Sequence, residues 1–384
     1  MGVENNISQD WVETTLGEVC EIKYGKDHKK LNDGNIPCFG SGGLMRKVSE
    51  VLYDKPSVLI PRKGTLTNLF FIDEPFWTVD TLFYTKINLS KIIPKYLFYK
   101  LKTYNLESLN VGSAVPSLTT AVLNQFPFSI PNIPEQKAIA KVLTAFDDKI
   151  ELLQAQNKVL ETMAQTIFKE WFGKYQIGDD LPDGWRVGRL RDLGVIICGK
   201  TPSKADKENF GGNIPFIKIP DMHNQMFIIK TSDSLTNKGA STQKNKLIPK
   251  NSICVSCIAT VGLVSITSKD SQTNQQINSI IPFNDSCREF IYFKIKGLYK
   301  YLQDIGSGGT ATLNVNTTSF SNIEIIIPDT KKLNAYNIIV NPIFDKVFDN
   351  YSQIQSLTKT RDTLLPKLMS GQVRVNNLKH TTDA

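Results

Sequence analysis

Cys254-Val255-Ser256-Cys257 has the spacing of half a tetrahedral zinc site. Zinc needs four ligands, and no second cysteine pair or histidine partner lies nearby in the chain. The four residues also fall in a strand-like run, where side chains three apart point to opposite faces. The three histidines, His28, His223 and His380, form no triad and no HExxH pattern. These residues therefore predict neither a metal site nor histidine catalysis.

Asn341-Pro342-Ile343-Phe344 resembles an Asn-Pro-Pro-Phe adenine-methyltransferase motif. That motif needs a strand before it and a glycine-rich cofactor loop elsewhere. Here the run sits at an expected helix start, and Ile343 falls on an apolar seam. The chain has no Walker A loop and no GxGxxG. Gly306-Ser307-Gly308-Gly309 lacks the lysine and helix of a phosphate loop and reads as a turn before Thr310.

Three polar loops carry better chemistry. Pro61 to Asn68 follows an expected strand and offers Arg62, Lys63, Thr65 and Asn68 in one turn. Cys198 to Lys204 offers Lys200, Thr201 and Ser203, and a third loop offers Asn274, Gln275 and Gln276. Lysine and hydroxyl groups suit phosphate, while arginine and the amides can pair with base edges. A net charge of +8 and a pI near 9.0 also favour a polyanionic partner. A solvated loop has the same composition, so these are candidate DNA contacts only.

The elements that hold these loops are written twice. Trp11 and Leu16 recur as Trp185 and Leu190, 174 positions on; Gly34-Asn35-Ile36-Pro37 recurs as Gly212-Asn213-Ile214-Pro215, offset by 178. Pro131 and Pro328, Asp148 and Asp345, and Leu160 and Leu357 all differ by 197. The offset grows before the proline and is constant after it, so variable loops precede a segment of fixed geometry. At 384 residues and 41% hydrophobic content, two domains of ordinary size are expected. The sequence predicts an α/β (α+β) chain: two β-rich domains over 1–132 and 174–328, helical spacers over 133–173 and 329–371, and a tail over 372–384. The domains read as mostly β, with strands at Ser57–Ile60, Leu69–Ile72, Asn251–Val255 and Gly262–Thr267, a helix at Pro94–Lys102, and turns at Asn32-Asp33-Gly34 and Gly40–Gly43. No apolar run spans a bilayer and no signal pattern opens the chain, so a cytoplasmic setting with six reduced cysteines is expected.

From Glu135 to Phe172 there is no glycine or proline, room for a helix of about 57 Å. Steps of four and three pass through Ile139, Leu143, Phe146, Ile150, Leu153, Asn157, Leu160, Ala164, Ile167 and Trp171, a coiled-coil seam. The second seam runs through Tyr336, Val340, Ile343, Val347, Asn350, Ile354, Leu357, Arg361, Leu364 and Leu368. Pro342 is expected to restart that helix and Pro366 to end or kink it. Each seam holds one asparagine. Setting Asn157 opposite Asn350 in an antiparallel pair places Arg361 over the Phe146 ring and matches every other apolar layer.

The ordered, duplicated set of motifs resembles the specificity (S) subunits of Type I restriction–modification systems. The resemblance covers nearly the whole chain. It rests on the two tryptophan openings, both Gly-Asn-Ile-Pro runs, Arg62-Lys63-Gly64-Thr65, Asn274-Gln275-Gln276, Ile133-Pro134-Glu135-Gln136-Lys137-Ala138-Ile139-Ala140, and Arg361 through Gly371. The second helix departs from it, with Lys332-Leu333-Asn334-Ala335 where the first has Glu135-Gln136-Lys137-Ala138 and onward. The resemblance implies two target-recognition domains reading an asymmetric bipartite sequence in double-stranded DNA. It also implies helices that dock two methyltransferase (M) subunits, with restriction (R) subunits joining. S-adenosylmethionine, ATP and Mg would then bind those partners, and this chain would hold no cofactor and no catalytic residue. The other readings are a nuclease–methyltransferase fusion, against which the missing motifs speak, and a coiled-coil nucleic-acid-binding adaptor outside restriction, for which two large β-rich domains are more than is needed.

Overall fold

The computed structural model describes residues 10–112, 115–307 and 313–375. Of the turn read at Gly306-Ser307-Gly308-Gly309, Gly306 ends a helix over Tyr299–Gly306 and Ser307 caps it, while Gly308 and Gly309, like His380 and the end of the tail, lie outside the described residues. The chain forms two compact units: one takes in the chain through Ile150 and again from Leu357, the other Glu151–Ser356.

Unit 1 opens with β1 (Val12–Thr15), β2 (Cys20–Tyr24), β3 (Asp33–Gly40), β4 (Gly43–Val48) and β5 (Ser57–Pro61). It continues with β6 (Phe70–Ile72), β7 (Trp77–Thr78), β8 (Leu82–Ile87), helix α1 (Pro94–Lys102) and β9 (Pro127–Ile130). Its sheets run β1-β9, β2-β8-β5-β6 and β4-β3-β7. The central strand β5 is buried along its whole length, as its unbroken apolar run Val58-Leu59-Ile60 requires.

Helix α2 (Ile133–Phe172) runs from unit 1 into unit 2. Unit 2 then builds β10 (Arg186–Arg189), β11 (Gly194–Cys198), β12 (Phe210–Ile217), β13 (Phe227–Ile228), β14 (Asp233–Leu235) and β15 (Ile253–Ser256). There follow β16 (Val264–Thr267), β17 (Gln272–Thr273), β18 (Ile277–Pro282), helix α3 (Arg288–Gly297), β19 (Glu324–Ile327) and helix α4 (Thr330–Met369). Its sheets run β10-β19, β11-β18-β15-β16-β13 and β14-β12-β17.

The repeat is topological as well as textual. Val12 pairs with Ile130 and Arg186 with Ile327, so the offsets of 174 and 197 meet across one ladder. Cys38 and Trp77 lie side by side in parallel strands, as do Phe216 and Gln272. The shared Gly-Asn-Ile-Pro marks the same irregularity in both units, a register shift between Asp33 and Ile36 and between Phe210 and Ile214. Asp33 and Gly34 therefore open β3 and do not form the turn expected at Asn32-Asp33-Gly34.

In each unit the segments of α2 and α4 pack antiparallel. Arg361 meets Asp147 in unit 1; Asn350 meets Asn157, and Trp171 meets Tyr336, in unit 2. The Asn350 amide donates to Asn157 Oδ1 at 2.9 Å. Every position of both seams is buried or half-buried. Ile139, Leu143, Leu364 and Leu368 share the main core of unit 1, and Leu160, Ala164, Val340 and Val347 that of unit 2.

Two helix expectations are overturned. α4 runs unbroken through Pro342 and Pro366 and begins at Thr330. Both prolines are exposed, and so are Ile338 and Asp362, whose carbonyls lose their helical donors; water can serve those carbonyls, which lowers the cost of an internal proline. Arg361 does not lie over Phe146. Its Nη1 donates to Asp147 Oδ1 at 2.6 Å, while Tyr99 donates to the other oxygen of that carboxylate at 2.6 Å. A charge-assisted hydrogen bond is the stronger contact at this half-buried site.

The departure at the second helix start has a packing reason. Gln136, buried at the start of α2, accepts from Ile93 N and donates to the carbonyls of Lys91 and Pro131. Leu333 holds the equivalent place in α4 and is buried in the core of unit 2. An amide clamp in one copy is an apolar contact in the other.

Candidate nucleic-acid interface

The polar loops occupy one end of each unit, held there by backbone hydrogen bonds that repeat. Gly25 N donates to Leu82 O and Lys26 N to Thr78 O; Gly199 N donates to Ile277 O and Lys200 N to Thr273 O. The turn after β5 is tied the same way as the turn after β15. Gly64 N donates to Pro116 O, and Leu118 N to Arg62 O; Ala259 N donates to Leu313 O, and Val315 N to Cys257 O. Gly64 and Ala259 both take left-handed backbone, with φ of 90° and 63°.

These bonds set correspondences that residue composition did not reveal. The counterpart of Arg62-Lys63-Gly64-Thr65 is Cys257-Ile258-Ala259-Thr260, which carries no cation. The counterpart of Asn274-Gln275-Gln276 is Val79-Asp80-Thr81, and that of Gly199-Lys200 is Gly25-Lys26. Only the fixed distances of Lys26 and Lys200 from their tryptophans, 15 positions in each copy, could have signalled this in the sequence.

The candidate contacts then fall into groups. In unit 1, Lys63 and Thr65 are exposed. Arg62 lies 5.3 Å over the Tyr24 ring and donates from Nη1 to the Asp80 carbonyl at 2.9 Å. Asn68 donates to the Ser41 carbonyl at 3.0 Å, which fixes the loop to the β3–β4 turn. A cleft of about 630 Å³ beside these loops is lined by Asp27, His28, Ser41, Met45, Asp80 and Thr81.

In unit 2, the structure brings Thr201 and Gln275 together, Thr201 Oγ1 donating to Gln275 Oε1 at 2.7 Å. Lys200, Ser203 and Gln275 are exposed. Asn274 is 7% exposed. Its side chain is engaged inside the turn, donating to Gln276 Oε1 and accepting from Gln276 N. Asn274 thus shapes the tip, and Gln275 projects from it.

The remaining chemistry is structural. Cys254 and Cys257 lie in different cores, and burial pushes their thiols up to about 12 and about 11, so both stay neutral thiols. Asn341-Pro342-Ile343-Phe344 lies inside α4, where Phe344 is fully buried and Asn341 accepts from Arg288 at 2.8 Å. Among the described residues no three His, Cys, Asp or Glu side chains gather as a metal site, and no helix is long and apolar enough to cross a membrane.

The glycines that open these loops are sterically fixed. A Cβ on Gly25 would stand 2.1 Å from the Val79 carbonyl oxygen, and one on Gly199 would stand 2.3 Å from that of Asn274. Gly25→Ala is expected to displace the Asp80 tip, and Gly199→Ala the Gln275 tip, each destabilising its unit by about 2–4 kcal/mol from overpacking and backbone shift. Thermal melting of each variant checks this; a loss under about 0.5 kcal/mol in either would show that the tip yields freely.

Two β-rich units, each presenting a loop-built polar end and each packed on a segment of the same helix pair, define a duplicated recognition module. The model of the Type I restriction modification DNA specificity domain matches the chain twice, over residues 8–162 and 182–359. The chain belongs to this family: it is a specificity subunit of a Type I restriction–modification system, with two target-recognition domains. It is 36% identical to the Type I restriction enzyme HindI specificity subunit of Haemophilus influenzae, covering 92% of this chain and 91% of that protein. It is 27% identical to the MjaIX specificity subunit of Methanocaldococcus jannaschii, covering 87% and 81%. The crystal structure of a Type I S subunit from M. genitalium superposes with a TM-score of 0.65 at 17% identity, over 96% of this chain and 98% of that one, which shows a shared fold. An adaptor outside restriction systems finds no support in these matches.

Proposed function

We propose that each unit reads one half of an asymmetric, bipartite site in double-stranded DNA, and that the chain contributes recognition without catalysis. One observation carries the reading. The same backbone bonds hold the same loops in each unit, while the side chains at the tips differ: Arg62-Lys63 stands where the other copy has Cys257-Ile258, and Asp80 where it has Gln275, although Lys26 and Lys200 match. A scaffold held constant beneath varied polar tips is what two recognition surfaces for two different sequences require. Exposed cations such as Lys63 and Lys200 suit the phosphate backbone and add affinity without sequence information.

The helix pair supplies the natural place for partners. Two M subunits would dock there and methylate adenine with S-adenosylmethionine; R subunits would join them, using ATP and Mg, and cut unmodified DNA. This chain would bind none of those cofactors. The test is single-molecule sequencing of genomic DNA for N6-methyladenine, with and without the gene for this chain. A two-part motif separated by unspecified bases is expected to vanish on deletion. An unchanged methylome, or loss of a continuous motif, would overturn the reading.

A further inference from the structure

Equivalent tips of the two units carry different hydrogen-bonding chemistry. The β7–β8 tip presents Asp80 and the β17–β18 tip presents Gln275, both exposed. Each is held by side chains from a neighbouring segment, and Cys198 Sγ also donates to the Gln275 carbonyl at 3.6 Å. Arg62 Nη1 bonds the Asp80 carbonyl at 2.9 Å and stands 3.7 Å from its carboxylate; Thr201 bonds Gln275 at 2.7 Å. Exposed contacts of this kind contribute little to stability, so folding alone does not account for their place at the tips.

Their donors and acceptors match different base pairs. Arg62 only donates and Asp80 only accepts. In the major groove a G·C pair offers the complement: guanine N7 and O6 accept, and cytosine N4 donates. Gln275 carries an amide that both donates and accepts, the pattern that matches adenine N7 and N6. Thr201 takes one lone pair of its oxygen and leaves the other, so the amide keeps both functions.

We infer that Asp80, acting with Arg62, selects a G·C pair in one half-site, and that Gln275 selects an A·T pair in the other. The inference rests on the DNA-recognition reading above and assigns base chemistry to its two ends. Asp80 is a specificity residue that loop composition did not single out.

The test replaces the full-length chain in its own cell with Asp80→Asn, Asp80→Glu and Gln275→Ala variants and reads the adenine methylome of each. Asp80→Asn is expected to relax one G·C position in one half of the motif, with discrimination there falling on the order of tenfold to a hundredfold. Asp80→Glu, which keeps the acceptor, is expected to hold that position. Gln275→Ala is expected to relax an A·T position in the other half only. A motif unchanged by Asp80→Asn or by Gln275→Ala, relaxation at the opposite type of base pair, or relaxation of both halves by one variant would overturn the inference. Methylation lost in Asp80→Asn but kept in Asp80→Glu supports it; methylation lost in both overturns it. If the unaltered chain specifies no bipartite motif, the recognition reading falls and takes this inference with it, an outcome distinct from a bipartite motif that the variants leave intact.

Discussion

Arg288→Met is expected to destabilise unit 2 by about 3–5 kcal/mol, because it strands a buried carboxylate. Glu289 is 0% exposed and opens α3 beside Arg288. The guanidinium donates from Nε to Glu289 Oε1 at 2.9 Å, from Nη1 to Asn251 at 2.9 Å and from Nη2 to Asn341 at 2.8 Å. Asn337 donates to the other Glu289 oxygen at 2.7 Å. Two residues of α4 are thereby fastened to α3, and Asn251 is held in left-handed backbone with φ of 70°. Removing the arginine leaves Glu289 buried opposite a thioether that cannot donate. The double variant Arg288→Met with Glu289→Gln removes the stranded charge and keeps a partner for Asn337, so it is expected to regain a large part of the loss. Denaturant unfolding of the two variants checks this; equal losses would show that the buried charge is not the cause.

The second large effect changes sign between single and double variants. Asn157 and Asn350 are 5% and 1% exposed, and one bond joins them, with the Asn157 amide nitrogen buried and unbonded. Replacing either alone by leucine leaves the other amide buried without its partner and is expected to cost about 1–3 kcal/mol. Replacing both removes the two polar groups together. The double leucine variant is expected to exceed the unaltered chain by about 1–2 kcal/mol, since leucine at both positions completes the apolar seam. What the asparagines contribute is register, because a polar pair penalises every slipped alignment of the helices. A double-mutant cycle measured by chemical unfolding checks this. Additive losses would show that the two amides do not act as a pair.

That pairing was legible in the sequence, and the reason is periodicity. A seam repeating every 3.5 residues fixes which face of each helix is apolar, and a single polar residue in each seam leaves one alignment that buries no unpaired amide. The strands Ser57–Pro61 and Phe70–Ile72 and the helix Pro94–Lys102 were legible for the same local reason. The misreadings share a different cause. Pro342 marks a helix start by propensity, yet the apolar seam continues through it and packing outweighs one lost hydrogen bond. Arg361 has Phe146 at its own layer, but its length lets it reach the carboxylate one residue further on. Asp33-Gly34 has turn composition, but the Gly34 Cα lies against the Val48 backbone, where only glycine fits.

The candidate site was legible only in part. Loops rich in cations, hydroxyls and amides could be picked out by composition, and Arg62, Thr201 and Gln275 do stand at the two polar ends. Asp80, proposed above from its place beside Arg62, has no composition signal for DNA, being an acidic residue in a basic chain. Asn274 was picked out by composition with its neighbours, and only the structure shows it buried with its side chain bonded to Gln276.

By itself, then, the sequence determined the duplication, the extent of the first long helix and the layer at which the two helices pair, since these follow from local periodicity and from offsets between the copies; that the second helix runs unbroken through its prolines was decided by packing. Only the tertiary structure decided which loops meet. Arg62 reaches Asp80 because β8 lies between β2 and β5, and Thr201 reaches Gln275 because β18 lies against β11. Those partners are 18 and 74 residues apart. Strand order, fixed by how the whole sheet buries its apolar faces, brings them together, and no pattern within a single loop contains it.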